Sequence, residues 1–383
     1  MIYLDNAATS FPKPESVYVA MDEFARKSLA NPGRSGHRMA LASERILDDT
    51  RNLLNRLFRG ESPDRWIFTL NCTDALNMGI KGHVGQGDHV ITSDLEHNSV
   101  SRPLRALEKA GVISLTRIAS NEGYLDPAEV IAAIGPKTKL VAITHAANVL
   151  GTLQPIEPIA EAVRAAGAFI LIDAAQSAGV VDIDLGRTPI DMLAFPGHKA
   201  LFGPTGTGAL YVGPRVSLRP WREGGTGGDS STEVQPDALP FLMEGGTPNV
   251  AGLAGLKAGL EWVLERGPES GRLHEVALLQ KVVDWVADHG DHWSILGKWD
   301  PDRHVGALSI RPPDGLVPSD LGAILDTSFA VAVRPGLHCA PYVHKRMGTF
   351  PDGSLRVSPG PFTTDSDIEV FLQALGMISD GML

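Results

Sequence analysis

Between residues 66 and 212, short unbroken apolar runs alternate with stretches that carry a helical period, and this alternation constrains the fold more than any other feature. Trp66-Ile67-Phe68, 89–92, 112–117, 140–144, Phe169-Ile170-Leu171-Ile172, 191–195 and 208–212 read as strands. Helices are expected at 73–81, 99–109, 127–134 and 156–166. A strand that is apolar at successive positions is buried on both faces, and helices between such strands cover a parallel sheet. Two helices come first, 14–30 and 36–59, the second with Leu41, Ile46, Leu53, Leu54 and Leu57 near a 3.6-residue period. The segment Asn31-Pro32-Gly33-Arg34-Ser35-Gly36 between them is a loop that neither helix can absorb.

Residues 223–248 are rich in Gly, Pro, Asp and Thr and lack a period, which reads as a long functional loop rather than a linker. Helices at 251–265 and 274–289 follow. From about residue 266 the pattern changes, with strands near 305–311, 330–333 and 355–357 and helices at 319–325 and 365–377. The expected fold class is therefore α/β: a large domain over 13–265 with a mainly parallel sheet covered by helices, and a smaller α+β domain made of 1–12 and 266–383. A chain of 383 residues can bury a core without disulfides or metals, and no metal site is expected.

Charge and termini narrow the partners. The net charge is -11 and no useful run of Lys or Arg occurs, so nucleic acid is disfavoured, because its binding needs a basic footprint. The start MIYLDNAATSFPKP has an acid at Asp5 and neither a basic opening nor an apolar centre, unlike a signal peptide. No stretch approaches the roughly 18–20 apolar residues of a membrane span. Two cysteines, Cys72 and Cys339, form no disulfide framework, so a reducing cytoplasm is the simplest location.

Five segments carry candidate chemistry. Asp173 ends an apolar strand, where ligands bind in open α/β sheets and where a carboxylate could hold a pyridine nitrogen protonated; it equally reads as a helix N-cap. Lys199 follows a strand within Pro196-Gly197-His198-Lys199 and precedes a glycine-rich stretch. An amine there, in a partly apolar site, has its pKa lowered and suits imine formation, although an isolated lysine beside a turn is usually only surface. Thr73 opens a helix and reads as a phosphate-site residue or as a plain N-cap. His97, in Glu96-His97-Asn98-Ser99, could stack on a planar ring and relay protons, or simply be solvated. Cys339, in Arg334-Pro335-Gly336-Leu337-His338-Cys339-Ala340-Pro341, lies beside His338 and near Arg334, a setting that favours a thiolate. Most free cysteines are small buried hydrophobes, but the Gly and Pro residues here indicate a loop. Cys72 has no such flank and reads as structural.

Taken together, DNAAT at 5–9, EHNS at 96–99, DAAQS at 173–177, GHK at 197–199 and RPGLHCAP at 334–341 resemble the class V aminotransferase family of fold-type-I pyridoxal phosphate (PLP) enzymes. The nearest resemblance is to its cysteine desulfurase and selenocysteine lyase branch. It implies that Lys199 carries PLP as a Schiff base and moves the substrate Cα proton. Asp173 would pair with the pyridinium nitrogen, Gln176 would contact the ring hydroxyl, and His97 would stack on the ring. Thr73 and His198 would bind the phosphate, joined by Thr247 from a second subunit of a homodimer. Asn148 and Arg356 would hold the substrate carboxylate, with Arg334 also on the substrate side. The Cys339 thiolate would take sulfur from L-cysteine as a persulfide, leaving L-alanine, and a sulfur-acceptor protein would follow.

Three positions depart from the family pattern: Pro196 replaces a small hydroxyl residue, Cys72 stands where Thr is common, and 356–364 differs from the usual desulfurase ending. These leave a second reading open, a related class V enzyme (C–S or C–Se lyase, epimerase or aminotransferase) that acts on another amino acid and leaves Cys339 idle. The chemistry of these relatives diverges only after a common Cα carbanion, so Lys199 and Asp173 do not discriminate. A third reading, a sulfur carrier without turnover, conflicts with the Lys199, Asp173 and His97 set.

Overall fold

A computed structural model describes residues 1–33, 36–227 and 231–381. Arg34 and Ser35 of the first expected loop, and positions 228–230 of the second, lie outside the described residues. The chain begins with a short strand, β1 (Ile2–Tyr3), and two helices, α1 (Glu15–Lys27) and α2 (Arg38–Phe58). Then β2 (Trp66–Thr69), α3 (Cys72–His83), β3 (Asp88–Ser93), α4 (Asn98–Lys109) and β4 (Ile113–Ile118) alternate. The alternation continues through α5 (Pro127–Ala132), β5 (Thr138–Thr144), α6 (Ile156–Ala165) and β6 (Phe169–Asp173), and closes with β7 (Met192–Pro196) and β8 (Gly208–Val212).

Seven of these strands form one sheet in the order β2-β8-β7-β6-β5-β3-β4. From β4 to β7 every pairing is parallel. Only β8, lodged between β7 and β2, runs antiparallel to its neighbours, so the sheet is mainly parallel as expected. Burial explains the apolar runs. Ile170, Ile172, Leu193 and Phe195 join one apolar cluster, whereas the intervening Leu171, Met192 and Ala194 join another. Successive strand side chains point to opposite faces, so both faces of this sheet are core. Leu76 of α3 packs on the second face, and Ile159 and Val163 of α6 on the first.

The C-terminal part contains α7 (Val250–Arg266), α8 (Pro268–Asp288), β9 (Ser294–Ile295) and β10 (Leu308–Arg311). It ends with α9 (Pro318–Phe329), β11 (Val331–Ala332), β12 (Arg334–Gly336), α10 (Pro341–Arg346), β13 (Ser354–Val357) and α11 (Asp365–Ser379). A second sheet has the order β12-β13-β10-β9, and β1 pairs in parallel with β11. A separate apolar cluster joins Leu4 to residues from Leu278 onward, including Trp293, Ile310, Val357 and Phe371.

Three expectations are corrected here. The strand expected at 330–333 is interrupted and resumes at 334–336 as an edge strand on β13, with Cys339 in the turn beyond it; Pro335 is tolerated because an edge strand need not donate on its outer side. The helix expected from 274 begins at Pro268, whose fixed φ suits a first helical position. The strand expected from 305 begins at Leu308, because Val305 N–H is turned toward the carbonyl of Gly151. Gly151 has φ +78°, and a Cβ there would overlap the Ala307 carbonyl.

Glu275 of α8 is buried with no hydrogen bond or ion pair among the described residues, and burial, opposed by Arg266, pushes its carboxyl up to about 8. A neutral folded carboxyl with an ordinary unfolded value of 4.5 contributes stability below 4.5 that is lost as pH rises through about 8. Glu275→Gln keeps the shape and removes the titration. Thermal denaturation should show a melting temperature about 2–4 °C above the parent at pH 8 and little change at pH 5. Equal shifts at both pH values would contradict the assignment.

Candidate active site

The carboxyl ends of β5, β6 and β7 and the amino end of α3 meet at one cavity of about 190 Å³, the usual ligand position in an open α/β sheet. Asp173, Gln176, His198 and Lys199 line it, as do Thr73 and His97. The C-terminal sheet closes the other side with Arg334 and Arg356, and Asn148 joins them from the loop after β5. Nine of the eleven residues singled out in the sequence therefore face one space. Cys339 and Thr247 are placed elsewhere.

Asp173 is buried, and its Oδ1 accepts the Ala175 N–H at 2.9 Å and faces the Cys72 thiol at 3.6 Å. Its Oδ2 has no protein partner among the described residues. Burial raises its pKa, opposed by the Ala175 N–H and by Lys199. A carboxylate in that state calls for a further cation or N–H donor. The Lys199 amine makes no hydrogen bond among the described residues and is lowered to about 8, first by burial and then by Arg356. Such an amine sheds its proton near neutrality and can act as nucleophile or base.

His97 caps α4: its Nδ1 accepts the Ser99 N–H at 3.1 Å, and the Ser99 hydroxyl lies 2.9 Å away. The Ser99 hydroxyl in turn meets the Thr73 hydroxyl at 2.7 Å, so one short chain of hydrogen bonds joins His97 to the start of α3. Burial, with Lys199 and Arg334 nearby, lowers His97 to about 4, so the ring is neutral and free to stack. His198 is likewise lowered to about 4 by burial, and its Nδ1 lies 3.1 Å from the Thr9 hydroxyl. The Gln176 amide donates to the Ala7 carbonyl at 3.0 Å.

Two arginines face each other across the ladder, because Arg334 of β12 pairs directly with Arg356 of β13. Like charges in register repel, and Asp5 offsets only part of this repulsion, so an anion entering the cavity between them would be favoured. Arg356 is buried, bonded to Asp5 at 2.8 Å and to the Asn148 carbonyl at 3.0 Å. Its Nε and the Asn148 Oδ1 are both buried without partners among the described residues. The Asn148 amide donates to the His338 carbonyl at 2.7 Å, which ties the arginine pocket to the cysteine turn.

Cys339 is exposed at the edge of this site, 3.9 Å from Arg334 Nη2. His338 and Cys339 both adopt positive φ, 49° and 59°, a conformation that non-glycine residues rarely hold. The turn is fastened by the Asn98 N–H, which donates to the Cys339 carbonyl at 2.7 Å. The expectation that His338 assists the thiol is corrected: its ring is buried, turned to the Ser354 hydroxyl at 3.1 Å, and lowered well below the usual histidine value by that burial. The charge beside the thiol comes from Arg334. Cys72, read as merely structural, also lines the cavity against Asp173.

Thr247 is exposed and lies at a separate cavity of about 610 Å³, with Gly245, Gly246 and Asn249. Sequence reasoning assigned no role to Asp5, Ser99 or Glu96. Glu96 is fully buried, accepts from Ser93 at 2.6 Å and from the Thr144 N–H at 3.2 Å, and so pins the turn that presents His97. Its place beside His97 in the EHNS motif was the available signal.

Comparison with known proteins agrees with this geometry. A family model described as aminotransferase class-V matches residues 2–371. A probable cysteine desulfurase of Pyrococcus abyssi is 33% identical, covering 98% of this chain and 93% of the relative. One from Halalkalibacterium halodurans is 32% identical over 98% and 92%. Among solved structures, the apo cysteine desulfurase from Thermococcus onnurineus NA1 superposes with TM-score 0.93 at 30% identity, covering 99% of this chain and 95% of that one. The cysteine desulfurase CsdA from Escherichia coli gives TM-score 0.88 at 27% identity over 99% and 94%.

Proposed function

This chain belongs to the class-V aminotransferase family, and from that premise we propose that it is a PLP-dependent cysteine desulfurase that converts L-cysteine to L-alanine and passes the sulfur to Cys339 as a persulfide. The observation that carries the reading is the exposed Cys339 thiol beside Arg334, at the edge of a cavity that also holds Lys199 and Asp173.

The residues present fit PLP. Asp173 Oδ2 and the Lys199 amine are unpartnered among the described residues, the His97 ring is neutral, and Thr73, His198 and the first turn of α3 suit a phosphate. When bound, the cofactor supplies an electron sink that weakens the bonds at the substrate Cα. The chain supplies the rest. Lys199 would hold the cofactor and move the substrate Cα proton. Asp173 would keep a proton on the ring nitrogen, Gln176 would contact the ring hydroxyl, and His97 would pack on the ring face. Arg356, Arg334 and Asn148 bind the substrate carboxylate, for which a guanidinium fork is well shaped. The Cys339 thiolate would attack the substrate sulfur: an S–S bond forms on Sγ as the C–S bond breaks, the pair of the broken bond stays with the carbon fragment, and protonation of that fragment gives L-alanine while the transferred sulfur keeps its proton.

Cys339→Ala should cut alanine formation from L-cysteine by about 10²-fold or more, since it removes the nucleophile. An unchanged rate with dithiothreitol present would remove Cys339 from the reaction, and a keto acid in place of alanine would favour a different class V activity.

The reading includes a two-fold dimer, in which Thr247 of the partner subunit completes the phosphate site. Its support is the position of Thr247 at a different cavity of its own chain. Light scattering should give a dimer mass, and a fully active monomer would contradict this. The division into 13–265 and 1–12 with 266–383 belongs to the same reading, supported by the separate apolar cluster that joins Leu4 to the C-terminal part. A reducing cytoplasm suits two free thiols. No helix among the described residues is long and apolar enough to cross a membrane.

A further inference from the structure

The chain carries a net charge of -11, yet the surface around Cys339 is cationic. Arg102 and Arg105 on α4 and Lys345 and Arg346 on α10 are exposed. Arg117 of β4 stacks its guanidinium 3.9 Å over the Tyr342 ring, three residues beyond the thiol. Lys345 lies 5.6 Å over the same ring and 5.1 Å over Phe350, which is 49% exposed. Asn98 N–H binds the Cys339 carbonyl, so the start of α4 and the cysteine turn form one continuous face. Acids lie within it too: Glu108, paired with Arg105, Asp94, 3.8 Å from Arg346, and exposed Asp352 just after Phe350. With Arg334 beside the sulfur, the cations outnumber them.

We propose that this cationic and aromatic rim around Cys339 docks a protein that presents its acceptor thiol within an acidic surface. The inference rests on the reading of Cys339 as a persulfide carrier. An acidic carrier is attracted to this face and repelled by the remainder of an anionic molecule, so the field orients the encounter as well as accelerating it. Tyr342, Phe350 and the arginines are the residue types that anchor protein interfaces. In the transfer, the acceptor thiolate attacks the outer sulfur of Cys339–S–SH. Its electron pair makes the new S–S bond, the old bond returns its pair to Cys339 Sγ as thiolate, and the outer sulfur keeps its proton. No external oxidant or reductant enters.

The test uses holoenzyme and two synthetic peptides, each with one central cysteine, flanked in one by glutamates and in the other by lysines. After loading with one equivalent of L-cysteine, alanine release and persulfide discharge to each peptide are followed separately. Fluorescence anisotropy with serine in place of the peptide cysteine reads docking alone, whether or not sulfur moves. The glutamate peptide should bind and discharge Cys339 about tenfold or more faster than the lysine peptide, and 0.5 M salt should remove most of that preference. In the variant with Arg102→Glu, Arg105→Glu and Lys345→Glu the preference should vanish while alanine release is unchanged. Equal binding of both peptides by the parent, salt-insensitive binding, or tighter binding of a single-stranded oligonucleotide of matched charge would overturn the proposal. Absence of alanine with intact peptide binding would sink the desulfurase reading and leave the docking face standing.

Discussion

Replacing Lys199 with alanine should lower alanine formation from L-cysteine by about 10³-fold or more, the range expected when a positioned acid–base group is removed. Lys199 lines the cavity with Asp173 and has no competing hydrogen bond among the described residues. Its amine is lowered to about 8 by burial and by Arg356, so it exchanges a proton near neutral pH. Lys199→Arg should be equally inactive, because a guanidinium keeps its proton and cannot attack a carbonyl. Borohydride reduction of the parent holoprotein followed by peptide mapping should place PLP on this residue and on none in either variant. A variant within tenfold of the parent rate, or a tether mapped to another lysine, would end the reading. In the cofactor-free protein, an amine lowered from 10.5 to about 8 has a linked sign for stability. The unfolded chain binds the extra proton between these values, so stability rises with pH across that window.

The second large effect is expected at Arg356. Arg356→Lys keeps a charge but cannot span the substrate carboxylate, Asp5 and the Asn148 carbonyl together. The Michaelis constant for L-cysteine should rise by about 10–100-fold, with a much smaller change in turnover, the pattern of lost ground-state and transition-state binding together. Arg356→Leu should in addition cost about 2–5 kcal/mol of stability, because the Asp5 carboxylate and a buried carbonyl lose their partner. Steady-state kinetics and thermal denaturation separate the two outcomes. A normal Michaelis constant in a stable Arg356→Lys protein would place carboxylate binding elsewhere.

Much of the main sheet could be read directly. Ile170, Leu171 and Ile172 admit few arrangements besides a strand covered on both faces, and Asp173 at their end marks where the ligand side begins. Lys199, His97 and Thr73 were legible because each follows a strand or opens a helix in a recognisable motif. The short pieces were harder. β1 and β12 have no hydrophobic period of their own and exist because β11 and β13 lie beside them. Cys72 keeps its structural reading, but its flanks could not show that it would lie 3.6 Å from Asp173 at the cavity wall.

Local order in the chain determined which segments become strands and helices and which residues carry reactive atoms, because backbone geometry and side-chain period act over a few neighbours. Only the tertiary structure decided which of those atoms meet. Arg334 opposite Arg356, Asp5 on Arg356, and Asn148 between the arginine pocket and the cysteine turn join residues far apart in the chain. The same holds for the lowered amine of Lys199, the neutral ring of His97 and the inward turn of His338. Desolvation and charge coupling depend on what is packed around a group, and that packing is set by strand order rather than by sequence neighbours.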